Sequence, residues 1–379
     1  MYNFIVFPYR DHYYERKYGT VVRDHQIIKA LSENRRVKSV SVINRPISIY
    51  EKVLWKHGTF PLNESDKILQ CEILSLDLVG PIKKRLWAEY CYDAYYDEVK
   101  KYLDKDDGVI NVILDFTPIA KIQYEKFENC IIWYDVIDNF SLHNRYSEIE
   151  KIKVLEKYKK VENTANLITG VSQKSLDEFE HANKIVVHNG LLTKAVDCDL
   201  LNDPCEFGFV GFVSDKFDIE LLRNLTQATN RRAVIYGKIQ DKGIEKQLND
   251  IDSVTVMGEF RGYDLPSIMK TFKIGLIPYL KSKSHDESPL KLYEYLNYGK
   301  PVISSEEYEI NNEYVHKYHD IDGLNDFVDN SLKEISFKHS EVVEKVKDKL
   351  TKNDFWEEKI EKILSVISGF NIELRKNKN

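Results

Sequence analysis

The run HDESPLKLYEYLNYGKPVIS (285–304) decides how this chain reads. Ser288-Pro289 predicts a helix start, because serine caps helix N-termini and proline suits the first helical position. Gly299 predicts the helix end, and Pro301-Val302-Ile303-Ser304 the buried strand that follows. Upstream, KIGLIPYL (273–280) reads as a strand, so strand, loop, helix and strand make one parallel βαβ unit. A helix opening at Ser288, Pro289 and Leu290 straight after that loop presents unpaired backbone N–H groups and a positive dipole end, which suit a diphosphate. Lys291, one turn in, can place an ammonium on the same phosphates. Glu294 lies at i+3 from Lys291, where a carboxylate can accept hydrogen bonds from a ribose diol. The same spacing also fits an ordinary capped helix with a surface Lys–Glu pair.

Working outward, the βαβ pattern repeats along the chain. In the first half, strands are predicted at 3–9, 37–44, 68–76, 108–116, 130–136, 166–172 and 184–189, with helices at 21–33 and 147–165. The pattern restarts with strands at 206–213, 231–237, 254–260, 273–280 and 301–305, separated by helices at 217–225, 264–271 and 288–299. Between the halves, the polar, Asp-rich stretch 189–206 reads as a linker. Past residue 306 the sheet signal fades into helices. The expected fold class is α/β, with two doubly wound, Rossmann-like domains facing a cleft. Residues 1–200 form the first domain and 205–352 the second, with 353–379 a helix crossing back. Ligands are expected at the carboxyl ends of the strands.

Composition limits the function. The 379 residues are too many for one ordinary core. Sixty-one acidic against fifty-five basic residues leave a formal charge of -6, which argues against a nucleic-acid partner. No apolar run is long enough to span a bilayer, and the amino-terminal apolar run is too short for a signal-peptide core. The five cysteines form no CxxC pair and read as free thiols of a cytoplasmic protein. No dinucleotide glycine triad, GxxxxGK[ST], GxSxG or HExxH appears, so hydride transfer and P-loop chemistry are not expected. Acidic pairs such as Asp104 and Asp106 read as turns, and no metal site is expected. Of the twenty-four tyrosines most lie in the first half, where their rings would suit stacking on sugars or a membrane interface.

SPLKLYEYLNYGKPVIS strongly resembles the sugar-nucleotide-binding segment of GT-B fold glycosyltransferases of the group 1 type. The resemblance implies that Glu294 holds the nucleotide ribose and that an acid ahead of the helix completes the site. Asp286 stands with seven residues between it and Glu294, the spacing common in the family, but the family usually has Glu there. Glu287, one residue nearer, is the other candidate for that role. FVGFVSDKFDIELLRNL (209–225) resembles the family's first donor-domain strand, glycine turn and helix, with Gly211 permitting close approach to a phosphate. VIYGK (234–238) resembles the next strand edge, with Gly237 as its turn. VTVMGEFRGYDLPSIMKTFKIGLIPY (254–279) resembles the stretch whose Met257, Gly258 and Phe260 surround the base. The ordered set covers most of the chain.

In the first half, IIWYDVIDNFS (131–141) ends an apolar strand in two acids, Asp135 and Asp138. Desolvation by Trp133, Tyr134 and Phe140 would raise a carboxyl towards useful basicity. Relatives often place a histidine just before the last acid, where this chain has Ile137, so the proton acceptor falls to Asp138 with Asp135 as alternate. Either acid would equally cap a helix or pair with an arginine. Gly19 and Thr20 resemble the family's glycine loop, and Arg10 stands beside it as a candidate acceptor contact. The helix expected at 80–103 carries Lys83, Lys84, Arg85 and Trp87 and could rest on an anionic membrane.

The expectation is thus a metal-independent, cofactor-free hexosyltransferase. It would move a sugar from a nucleotide-diphosphate donor, UDP being the commonest, to a glycan or lipid-linked glycan at the cytoplasmic side of a membrane. An Asp base implies inversion, whereas the acid spacing is that of retaining relatives. A sugar-nucleotide epimerase of the same fold and a catalytically silent scaffold are the alternatives.

Overall fold

The computed structural model describes all residues except 20–21, 55–64, 79, 197–198, 228–229, 281–282, 284–287, 307, 309–311, 319–320 and 377–379. It divides into two compact units, Met1–His188 with Trp356–Asn379, and Asn189–Phe355. Residues 189–206, read from sequence as a linker, belong to the second unit, and Cys205 and Glu206 already open its first strand.

The first unit is built on a parallel seven-stranded sheet. In chain order its described strands are β1 (Tyr2–Phe7), β2 (Val37–Ile43), the short β3 (Ile47–Ser48), β4 (Ile68–Cys71), β5 (Leu74–Ser75), β6 (Ile110–Asp115), β7 (Ile131–Val136), β8 (Leu167–Gly170) and β9 (Lys184–Val186). The main sheet runs β4-β2-β1-β6-β7-β8-β9, while β3 and β5 pair separately. β1 and β7 are buried along their whole length, as central parallel strands covered on both faces must be, which is why they read as continuous apolar runs. Helices α1 (His12–Tyr18), α2 (Arg23–Glu33), α3 (Ile49–Leu54), α4 (Tyr96–Lys100), α5 (Glu148–Thr164) and α6 (Gln173–Leu176) connect them.

The second unit carries β10 (Cys205–Val210), β11 (Ala233–Tyr236), β12 (Val254–Gly258), β13 (Phe272–Ile277), β14 (Val302–Ser304) and β15 (Val315–Lys317) in the order β12-β11-β10-β13-β14-β15, again parallel. Its helices are α7 (Ile219–Gln227), α8 (Lys242–Asn249), α9 (Leu265–Ile268), α10 (Leu290–Asn297) and α11 (Ile321–Asp348). The last helix, α12 (Trp356–Lys376), belongs to the first unit. There the Trp356 indole N–H donates to Gln26 Oε1 at 2.8 Å, and the Arg23 guanidinium lies 5.1 Å from the Trp356 ring.

Helix α1 stands where no helix was expected; it is started by Asp11, whose carboxylate accepts the Tyr14 N–H at 3.0 Å. Three local expectations need correction. The stretch 80–103 is not one helix but short 3-10 turns and α4, because Lys84 breaks it with φ 52°. β15 was missed because three residues, Val-His-Lys, carry no period. The tyrosines divide between core and surface: Tyr92, Tyr96, Tyr124, Tyr134, Tyr146 and Tyr158 are buried in one hydrophobic cluster, while Tyr9, Tyr13, Tyr14 and Tyr18 are half-buried. A phenol supplies large apolar area with one hydroxyl to satisfy. Tyr124 does so by donating to Asp115 Oδ2 at 2.6 Å, which the buried Lys157 ammonium also meets at 2.5 Å.

Candidate functional site

In the second unit the strand order reverses between β10 and β13, and a recess forms outside the carboxyl ends of strands at such a reversal. Three expected glycines stand at those ends. Gly211 follows β10, Gly237 follows β11 and Gly258 closes β12, with φ of 140°, 136° and 82°. The Gly211 N–H donates to the Tyr236 carbonyl at 2.9 Å, and the Gly237 N–H to the Gly258 carbonyl at 2.7 Å. A Cβ on Gly237 would sit 1.9 Å from the Gly211 carbonyl oxygen, and a Cβ on Gly211 would sit 3.0 Å from Lys291 Nζ. Gly237 therefore needs glycine for space as well as for dihedral freedom, and Gly211 chiefly for its dihedral. The Lys291 ammonium lies directly against the Gly211 backbone.

Helix α10 brings Lys291 there, but its start differs from the expectation. The first helical residue is Leu290 and the cap position is Pro289, with no side-chain cap. Ser288 is buried and its hydroxyl is used elsewhere: it accepts the Asn189 N–H at 3.0 Å and lies 3.2 Å from the Tyr293 hydroxyl. The unit's first residue thus holds Ser288, and among the described residues no side chain caps the N–H groups of the first turn. Farther along, the Tyr295 hydroxyl accepts the Val210 N–H at 2.8 Å, tying α10 to the end of β10. Gly275 gives that ring its room.

Lys291 and Glu294 are not the exposed surface pair that the spacing also allowed. Both are half-buried. The Lys291 ammonium lies 4.1 Å from the Phe209 ring centre and 4.7 Å from that of Tyr279, and it donates to the Tyr279 hydroxyl. Among the described residues the Glu294 carboxylate has no hydrogen-bond or ion-pair partner. Burial pushes it up to about 7, against the pull of the Lys291 ammonium. A carboxyl in that state gains from any donor placed against its ionised form. Of the residues expected around the base, Met257 is exposed and Phe260 is half-buried against the core. Asp286 and Glu287 lie outside the described residues.

In the first unit the two candidate acids have different surroundings. Asp135 is buried, and both its oxygens are taken: Arg23 Nε donates to Oδ1 at 2.8 Å, while Arg23 Nη2 at 2.9 Å and the Thr169 hydroxyl at 2.6 Å donate to Oδ2. The Trp133 indole in turn donates to Thr169 Oγ1 at 2.7 Å. An acid so held does not offer a lone pair to a substrate hydroxyl, so the alternative of an arginine pair describes Asp135. Asp138 is half-buried past the end of β7, and its Oδ2 lies 3.8 Å from His143 Nε2. Nothing local signals this neighbour, because His143 reaches the acid across a turn with no ligand spacing. The His143 ring stacks on Phe140 at 6.1 Å and 17°.

Arg10 follows β1, its guanidinium 4.6 Å from the Tyr9 ring and 5.0 Å from that of Tyr14, with Nε buried and without a hydrogen-bond partner among the described residues. Gly19 ends α1 at φ 82°, its N–H donating to the Glu15 carbonyl, so it is first a helix C-cap. Thr20 lies outside the described residues.

No protein-family model and no curated protein matches the chain. Solved structures do. A lipopolysaccharide outer core galactosyltransferase, WaaB, matches over 96% of this chain and 99% of its own, with 13% identity and a TM-score of 0.55. The N-terminal domain of Candida albicans trehalose-6-phosphate phosphatase matches over 96% and 97%, with 12% identity and a TM-score of 0.61. A UDP-N-acetylglucosamine 2-epimerase from Rickettsia bellii matches over 99% and 98%, with 11% identity and a TM-score of 0.50. The chain spans about half, 54%, of the length of the TarM structure, at 16% identity. Two parallel doubly wound sheets matched along the whole length of WaaB give this chain the GT-B fold of glycosyltransferases.

Proposed function

We propose that this protein is a glycosyltransferase that moves a hexosyl group from a nucleotide-diphosphate sugar to a hydroxyl of a glycan or lipid-linked glycan. One observation carries the reading: Gly211, Gly237 and Lys291 converge at the strand-order reversal of the second unit, where backbone and ammonium lie against each other. Glu294 stands one turn farther along α10, its carboxylate without a hydrogen-bond partner among the described residues, as suits a ribose contact. Helix N–H groups and Lys291 would stabilise the charge developing on the leaving diphosphate, the task a divalent metal performs in other transferases. Transfer would then proceed without added metal. Asp138 is the base assigned to the acceptor hydroxyl, with inversion at the anomeric carbon as its consequence.

Peripheral contact with the cytoplasmic face of a membrane belongs to the same reading. Tyr50, Val53, Leu76, Leu78 and Ile82 are exposed in the first unit, and Lys52, Lys83 and Lys84 beside them are exposed too. Apolar side chains with a basic fringe suit an anionic lipid surface that presents a lipid-linked acceptor.

Thermal shift and calorimetry with UDP and GDP test the donor site first. A rise in melting temperature with one of them is expected, and no shift with either defeats the reading. Radiolabelled UDP-sugars incubated with membrane lipid extract in EDTA then test transfer. Label in the lipid fraction supports the enzyme, a changed sugar nucleotide without acceptor marks an epimerase, and binding with neither marks a scaffold.

A further inference from the structure

The proposed donor site contains a lysine whose ammonium is flanked by two aromatic rings. Lys291 reaches the glycine backbone from a flexible four-carbon stem, and such a side chain ordinarily samples many rotamers. Here its ammonium lies over Phe209, the penultimate residue of β10, at 4.1 Å, and against Tyr279, two residues past β13, at 4.7 Å. Phe209 and Tyr279 meet each other edge-on at 77°, their ring centres 6.5 Å apart, and Phe209 is locked from behind by Phe217 at 4.9 Å and 89°. Both rings are buried. Tyr279 itself is fixed, since its N–H donates to Ser305 Oγ at 2.8 Å. The Lys216 ammonium also lies 4.4 Å from the Tyr279 ring centre.

An aromatic pair holds a cation without neutralising it. Ring quadrupoles attract the ammonium and leave its net charge intact, so they orient the charge a diphosphate needs. We propose that Tyr279, backed by Phe209, is a positioning residue that holds the Lys291 ammonium against Gly211 for a nucleotide diphosphate. This rests on the donor-site reading above. Tyr279 acts through the lysine and through the ring it shares with Lys216, and it touches no sugar or base. Its contribution is preorganisation, so its loss should weaken binding of the diphosphate and not of the nucleoside.

The test compares UDP and uridine affinity in the full chain. Tyr279→Leu should weaken UDP about tenfold, as one cation–π contact does, and leave uridine unchanged, while Tyr279→Phe, which keeps the ring, should lose less. In the Lys291→Met background Tyr279→Leu should add little further loss. Equal losses for UDP and uridine, or losses that multiply in the double variant, would overturn the assignment. A second readout needs no nucleotide. After reductive ¹³C-methylation, the Lys291 resonance, assigned by its absence in Lys291→Arg, should be displaced by ring currents from those of exposed lysines and return towards them in Tyr279→Leu. An undisplaced wild-type resonance overturns the clamp even if UDP binds. A displaced resonance with no UDP binding instead defeats the donor-site reading and leaves the ring clamp standing.

Discussion

Arg23 grips Asp135 with two parallel hydrogen bonds, Nε to Oδ1 at 2.8 Å and Nη2 to Oδ2 at 2.9 Å, and both residues are buried. A fork-to-fork pair of this kind fixes two elements, here α2 and β7, while removing the acid from chemistry. The pair also sits beneath Trp356, so it joins the last helix to the first unit's sheet.

Removing one partner strands the other charge in the core. Asp135→Ala should therefore lower stability by about 3–5 kcal/mol, read as a fall in the denaturant midpoint. Asp138→Asn should leave that midpoint nearly unchanged and lower turnover instead, by about a hundredfold or more for a lost general base. Full activity in the Asp138 variant would sink its role as proton acceptor.

Glu294 predicts a pH dependence whose sign follows from its raised carboxyl. Held up to about 7 by burial, it is largely protonated at pH 6 and ionised at pH 8. A carboxylate accepting from a ribose diol acts best when ionised, so UDP affinity should rise with pH through about 7. Folding moves the other way. The native state keeps a proton that the unfolded chain releases nearer the usual carboxylate range, so stability should fall as pH rises from about 4.5 to 7. Glu294→Gln should flatten both curves, and an unchanged affinity profile in that variant would exclude the ribose contact.

Gly237→Ala tests the glycine contact. Its Cβ would meet the Gly211 carbonyl oxygen at 1.9 Å, and φ 136° is strained for alanine besides. The backbone must move at the site Lys291 touches, so both melting temperature and UDP affinity should fall. Gly258→Ala, with nothing within 4 Å of the added carbon, keeps only the dihedral strain. It should cost less, about 1 kcal/mol. Calorimetry on the two variants gives the ordering, and a larger loss at Gly258 would refute the steric account.

Lys157 makes a further stability prediction. Its ammonium is fully buried, held by Asp115 at 2.5 Å, the Ala120 carbonyl at 2.6 Å and Tyr124 at 3.0 Å, and burial pulls its titration downward. Lys157→Met leaves Asp115 with only neutral donors, and urea unfolding should show several kcal/mol lost. Restoration of most of that loss by the double variant Lys157→Met, Asp115→Asn is the expected signature of a stranded charge.

Much of this protein was legible in its sequence because parallel strands are buried on both faces and announce themselves as apolar runs. NFIVF and IIWYDV lie wholly in strands buried along their length, and NVILD is buried from Val112 onward. Glycines at strand ends were equally visible, since left-handed dihedrals and close backbone approach admit little else. What stayed hidden depended on residues far apart in the chain. Nothing local distinguishes Asp135 from Asp138, yet an arginine 112 positions away claims the first. Tyr92 and Tyr96 read like their neighbours Tyr90, Tyr95 and Tyr102, yet packing buries the first two and leaves the others half-exposed. Ser288 looked like a cap until Asn189, 99 residues earlier, took its hydroxyl. Local sequence determines which segments become strands and helices, because backbone propensity and periodicity act over a few residues. The availability of a carboxylate, a hydroxyl or an ammonium is decided by its tertiary neighbours, because burial and hydrogen bonding are set by contacts that the chain makes only once it is folded.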